Sequence, residues 1–148
     1  MLCLGSATVN NSIIWANTSP KGHEISVEAP ESTFKIAYSD VAGGQAEVNV
    51  QDGCILEWGV GNIDIDPLFE DADKDDYHLK SQAGRWDPQS EAWIMDEVTS
   101  PCIDRGDPNS AIGDEPDPNG ERINMGAYGG TTEAGEMPIS LARRIHRA

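Results

Sequence analysis

The sequence predicts an all-β chain of solenoid type, and three observations carry that expectation. Short β-rich runs recur through the first half, turn residues separate them at even spacing, and no amphipathic helical pattern lies among them. The runs also repeat: Ile13-Ile14-Trp15 aligned with Ile36-Ala37-Tyr38 gives a register of 23 residues, each time a β-branched entry followed by an aromatic and a polar turn. Sandwiches and barrels share the first features, but a period of roughly 20 to 30 residues favours stacked coils.

Taken in order, the strand-like runs are Thr8-Val9 with Ser12-Ile13-Ile14-Trp15, Glu24-Ile25-Ser26-Val27, Phe34 to Tyr38, Glu47-Val48-Asn49-Val50, Cys54-Ile55-Leu56 and Tyr77-His78-Leu79-Lys80. Valine, isoleucine and the aromatics suit a pleated, half-buried surface. Each run is closed by residues that favour turns: Asn17-Thr18-Ser19-Pro20, Gly43-Gly44, Asp52-Gly53, Gly59 to Asn62 and Asp66-Pro67. From about Gly84 the character changes, with Pro88, Pro101, Pro108, Pro116 and Pro118 among Gly and Asp. Proline cannot donate to a ladder, so this region is not central strand. It reads as an irregular segment packing over the β-region through Trp86, Trp93, Ile94, Met95, Ile103, Ile123, Met125 and Tyr128. Ile139 to Ala148 follow Pro138 and carry Arg143, Arg144 and Arg147 without an acid, which predicts a short basic helix or tail docking on an acidic body.

Composition narrows the partners. In 148 residues, 26 acids face 10 bases for a net charge of −16, which repels a phosphate backbone and anionic lipid alike. Apolar residues make up 38% and no run approaches the length of a membrane span. Nucleic acid and a membrane span are therefore excluded as expectations. Cys3, Cys54 and Cys102 form no C-x-x-C pair and read as small buried thiols, with a Cys54–Cys102 disulfide as the alternative in an oxidising compartment. The chain opens almost directly into a strand with no export signal, so it reads as the C-terminal piece of something longer.

The ordered motifs Asn11-Ser12-Ile13-Ile14-Trp15-Ala16-Asn17, Tyr38-Ser39-Asp40-Val41-Ala42-Gly43-Gly44, Gly61-Asn62-Ile63-Asp64-Ile65-Asp66-Pro67-Leu68-Phe69 and Asp76 to Lys80 resemble the last coils of secreted bacterial right-handed parallel β-helix repeat proteins of the pectate-lyase-like superfamily. Ser100-Pro101-Cys102-Ile103-Asp104-Arg105-Gly106-Asp107-Pro108 and Arg122 to Gly130 are similar to the segment after the final coil in those proteins. The resemblance implies terminal β-helix coils over 1–83, an irregular end-covering segment over 84–130 and a tail over 131–148. It also implies export, association with polysaccharide and upstream coils of the same protein. Some relatives carry a dockerin-type module next, from which Thr131 to Ala148 depart.

Candidate chemistry is sparse. Asp71, Asp73 and Asp75 occupy positions 1, 3 and 5 of an EF-hand-like loop, but the sixth position is Asp76 where Gly is required and the twelfth is Gln82 where a bidentate Glu is required. A looser Ca2+ site on those three, with Asp64 or Asp66, is the metal candidate, and a solvated acidic turn is its plain alternative. Asp114, Glu115, Asp117 and Asn119 form a second acidic loop without known ligand spacing. The resemblance implies lyase or glycosidase chemistry for which Asp64, Asp66, Arg105 and Arg122 are the catalytic candidates, although Arg85, Arg105 and Arg122 all lie beyond the repeating strands and Asp64-Ile65-Asp66-Pro67 also reads as a simple turn. His23, His78 and His146 share no ligand spacing. Trp58 and Trp86 are the carbohydrate-stacking candidates, with Trp15 and Trp93 beside them, weighed against ordinary core roles. The expectation is a non-catalytic segment of an exported, polysaccharide-associated protein. A lyase or glycosidase fragment and a calcium-stabilised carbohydrate-binding module are the competing ones. So acidic a surface favours neutral glycans over polyuronates.

Overall fold

Parallel pairing organises residues 2–63, where the chain passes three times over the same three rows. The computed structural model describes residues 1–19 and 24–138, so the basic helix or tail expected over 139–148 lies outside the described residues. The first pass comprises β1 (Leu2–Cys3), β2 (Ser6–Asn10) and β3 (Ile13–Ile14). The second comprises β4 (Ile25–Val27), β5 (Thr33–Ala37) and β6 (Asp40–Val41). The third comprises β7 (Val48–Val50) and β8 (Ile55–Trp58), its last row reduced to a single bridge between Ile63 and Asp40. β4 lies between β1 and β7, and β5 between β2 and β8. Parallel neighbours need a long connection, and the remainder of each pass supplies it.

The register departs furthest from the 23-residue alignment between the first and second passes, at the second and third rows. Ile13 pairs with Asp40, 27 residues on, whereas Asp40 meets Ile63 after 23. Ile36 therefore lies beside Val9 rather than in the row of Ile13. Turn length is the cause: Leu4 and Gly5 alone separate β1 from β2, but Glu28 to Ser32 separate β4 from β5.

The corner before each third row is left-handed, at Asn11, Tyr38 and Gly61 with φ of 53°, 46° and 76°. Asn adopts this conformation readily, and at Gly61 any Cβ would fall 2.2 Å from the Tyr38 ring. The residues just after the corners are tied from pass to pass. The Ser12 N–H donates to Ser39 Oγ at 3.2 Å and the Ser39 N–H to Asn62 Oδ1 at 3.1 Å. Inward side chains stack in register, as in Ala7, Phe34 and Leu56, or Val9, Ile36 and Trp58, around a core in which Ile25, Val27, Phe34 and Val41 are fully shielded. Each such burial is worth about 1.5–3 kcal/mol.

Parallel pairing does not continue to residue 80, as the run Tyr77 to Lys80 suggested. β9 (Phe69–Asp71) and β10 (Asp76–Leu79) pair antiparallel through a short 3-10 turn at Ala72–Lys74. Four residues cannot make a parallel crossover, and Asp75, at φ 62°, closes the turn. β11 (Arg85–Asp87) and β12 (Ala92–Ile94) form a second antiparallel pair in which Trp86 faces Trp93. Trp93, Ile94 and Met95 are exposed rather than packed as the sequence suggested.

Residues 102–137 build a second core of Cys102, Ile103, Met125 and Met137 with Leu79, and Ile13, Tyr38 and Ile63 pack against it from the three passes. Polar bonds follow the same flank. The Gly126 N–H donates to Asn11 O at 2.9 Å, Asn11 Oδ1 accepts from the Asp107 N–H at 2.6 Å, and the Cys102 thiol donates to Asp40 Oδ2 at 3.1 Å. All three cysteines are free, with Cys54 beside the first core and Cys102 in the second, so the Cys54–Cys102 alternative is not adopted. Phe34→Ala is expected to cost about 3–5 kcal/mol by urea denaturation, and Ile55→Ala, at an exposed position of β8, less than about 0.5 kcal/mol.

Candidate functional site

A cleft of about 480 Å³ opens on the flank where β3 meets the β9–β10 pair. Side chains alternate along a strand, so Ile14 of β3 points into the first core while Ile13 turns outward to the cleft. The left-handed Ala16 bends the chain beyond β3, with Trp15 and Asn17 both reaching the cleft wall. Phe69 and Tyr77 form the facing wall, with ring centroids 5.4 Å apart at 86°, an edge-to-face pair. Gly126 and Ala127 line it from the C-terminal segment. Gly126 has φ +97° and a Cβ there would lie 2.9 Å from Ile13 Cδ1, so the backbone approaches as closely as glycine permits.

Chemically, the described lining is aromatic and polar. Ser12 and Asn17 are its polar members, and among the described residues no Asp, Glu, Lys, Arg or His belongs to it. Glu24 fixes Asn17, accepting from its N–H at 3.1 Å and from its Nδ2 at 2.7 Å. Flat aromatic walls with amide and hydroxyl groups at the margin suit a ligand having an apolar face and a rim of hydroxyls.

The residues singled out by sequence lie elsewhere. Asp64 Oδ1 accepts the Gly43 N–H of the preceding pass at 2.9 Å, a bond from pass to pass, and Asp66 Oδ1 accepts the Leu68 N–H at 2.9 Å, a turn bond. Arg122 donates to the carbonyls of Gly106 and Arg105 and stands 5.6 Å over the Tyr38 ring, while Arg105 is exposed. Asp71 is paired with Lys74 at 2.6 Å and Asp75 accepts from the Tyr77 hydroxyl at 3.3 Å. Among the described residues no group of three His, Cys, Asp or Glu side chains is placed to hold a metal ion, so Asp71, Asp73 and Asp75 do not converge as the alternating spacing suggested. Trp58 packs against the first core, and Trp86 meets Trp93 at 5.7 Å across the β11–β12 pair. Arg85 is buried, held by Asp96 at 3.1 Å and Glu70 at 3.4 Å. His78 is buried between Asp76 at 2.7 Å and Glu133 at 3.2 Å, with Tyr128 stacked on its ring. Phe69 and Tyr77 were passed over as site residues, and the only signal for them was their place inside the coil motifs.

Asp40 is the most constrained carboxylate of this flank. Burial pushes it up to about 6, Asp64 and Asp66 add to the rise, and the bonds from the Cys102 thiol and the Ile65 N–H oppose it. The Cys102 thiol is itself pushed up, by burial first and by Asp40 second.

A family model described as "Disaggregatase related" matches residues 7–106. No curated protein and no solved structure matches the chain.

A carboxyl whose pKa is raised by folding favours the neutral form in the native state. Its contribution is fully present below the unfolded value of about 4 and is lost as pH rises through about 6. The urea midpoint measured in chelator is therefore expected to fall between about pH 4.5 and pH 7, and Asp40→Asn to flatten that fall. A variant with the wild-type slope would place the loss in other groups.

Proposed function

The chain belongs to the disaggregatase-related family, and from that premise we propose that it is a non-catalytic, polysaccharide-associated segment of an exported protein that holds a neutral glycan against Trp15, Phe69 and Tyr77. The family takes its description from a polysaccharide-degrading disaggregatase, which supports an extracellular, carbohydrate-related role. The observation that carries the ligand class is the aromatic cleft, uncharged among the described residues, in a chain of net charge −16. The CH face of a pyranose packs on an aromatic wall as an apolar surface, and its hydroxyls find Ser12 and Asn17. An anionic polyuronate would meet no cation among the described lining residues and a repulsive field outside it.

In this reading the three passes are the terminal coils of a right-handed parallel β-helix, and the segment 84–130 is their cover. The parallel rows and the left-handed corners at Asn11, Tyr38 and Gly61 support it. β1 and β2 stand at the outer edge of their rows with Leu2 and Leu4 exposed, which is the surface on which upstream coils would stack. The non-catalytic part rests on the lining: sugar hydrolysis and elimination need an acid or base within hydrogen-bond reach of the reacting centre, and the described lining residues include no carboxylate, histidine or arginine.

Affinity electrophoresis of the full chain in gels of neutral polysaccharides and of a polyuronate tests both parts. Retention is expected on a neutral polymer. Trp15→Ala and Tyr77→Ala are each expected to weaken it about tenfold, while Trp93→Ala leaves it unchanged. Equal retention of wild type, W15A and Y77A removes the cleft as the site, and release of reducing ends or unsaturated products overturns the non-catalytic reading.

A further inference from the structure

Away from the cleft, a buried acidic node lies beneath the loop that ends at Gly120. Asp104 is 1% exposed and neither of its carboxylate oxygens has a hydrogen-bond partner; Glu115, 8% exposed, keeps Oε2 equally unpartnered. The polar groups around them are satisfied. Asn124 Oδ1 accepts the Asp104 N–H at 2.7 Å, and Glu115 Oε1 accepts the N–H groups of Asn124 and Gly130 at 2.8 Å each. Asn124 Nδ2 donates to Gly135 O at 2.8 Å. Gly120, at φ +58°, approaches so closely that a Cβ there would fall 1.7 Å from Asp104 Oδ2. The chain thus seals three acceptor oxygens from solvent and supplies none of them with a donor, which is among the costliest states for a buried carboxylate.

Only a proton or a cation relieves that state. Burial and the charge of Glu115 push Asp104 up to about 7, and Glu115 is itself raised by burial. Arg122 is the basic group that opposes the rise, but its guanidinium is spent on the carbonyls of Gly106 and Arg105. At neutral pH the proton is leaving.

We propose that Asp104 and Glu115 form a calcium site, with Asp104 Oδ1, Asp104 Oδ2 and Glu115 Oε2 as its side-chain ligands and main-chain oxygens completing the shell. The ligands are all oxygen, which selects a hard cation. The node is closed to solvent, so the ion must shed its water, and calcium does so far more readily than magnesium and accepts irregular geometry. Two carboxylates rather than three place the affinity in the weak range of extracellular modules, roughly 10⁻⁴ to 10⁻³ M. Of the acidic stretch Asp114 to Asn119, the site uses Glu115 alone. It stands independently of the glycan reading.

Thermal unfolding of the full chain tests it, in about 5 mM calcium against chelator. At near-neutral pH the wild-type Tm is expected to rise by roughly 3–8 °C, the rise to vanish in Asp104→Asn, and to persist in Asp73→Ala. Near pH 5, with Asp104 protonated, the rise is expected to shrink. No rise in wild type, or an equal rise in D104N, overturns the proposal and leaves a protonated node; loss of the rise in D73A moves the ion to the Asp71 to Asp75 turn and overturns it as well. If D104N fails to fold, calorimetric titration of the wild type decides: one calcium per chain with heat lost at low pH supports the site, and heat independent of pH removes it.

Discussion

Stacking of the left-handed corners is the constraint on which the molecule depends. Asn11, Tyr38 and Gly61 turn the chain at the same place in each pass, so the rows that follow begin in register. A slip of one residue at any corner would exchange inward and outward side chains along the row. Ile14 and Val41 would leave the first core, and Ile13 would leave the flank. The bonds from Ser12 to Ser39 and from Ser39 to Asn62 pin this alignment through side chains just past the corners. Exposed pairs such as Lys35 with Glu57, at 2.7 Å on the adjacent strands β5 and β8, add less than about 1 kcal/mol each.

Because the corners agree, the outer side of the third row presents one face from all three passes, and the rest of the chain is assembled on it. Asp40 is central to that face. Its backbone meets Ile13 and Ile63 while its carboxylate takes the Cys102 thiol and the Ile65 N–H. The cleft lies at the border of the same face, where β3 ends and the antiparallel pair begins. The lack of charge among its described residues is an exception in an acidic protein, and the exception is local: Asp75, which accepts from the Tyr77 hydroxyl, stays outside the lining.

Much of the strand content was legible in the residues. The runs around Thr8-Val9, Ile25 to Val27, Phe34 to Ala37, Val48 to Val50 and Ile55-Leu56 all fall in parallel strands, because β-branched residues between turn formers admit few other readings. The true register was hidden by the longer turn from Glu28 to Ser32, which no periodicity reveals. Asp66-Pro67 was legible as a turn, but nothing local showed that parallel pairing ends before it or that β9 and β10 would fold back on each other. The cleft was illegible for a different reason: Trp15 lies far along the chain from Phe69 and Tyr77, and only the folded flank joins them. The burial of Asp104 has no local signal, since Asp-Arg-Gly-Asp reads equally well as an exposed turn.

Stacked repeats ordinarily melt as a one-dimensional chain of units, each coupled to its nearest neighbour alone, so that the end units fray first and at little cost. Residues 102–137 change that coupling. They touch the first pass at Asn11 and Ile13, the second at Tyr38 and Asp40, and the third at Ile63. An outer pass cannot peel away without also breaking its own contacts to this segment, which acts as a splint across the three passes. All-or-none unfolding, as in a globular domain, is the expected consequence for so short an array.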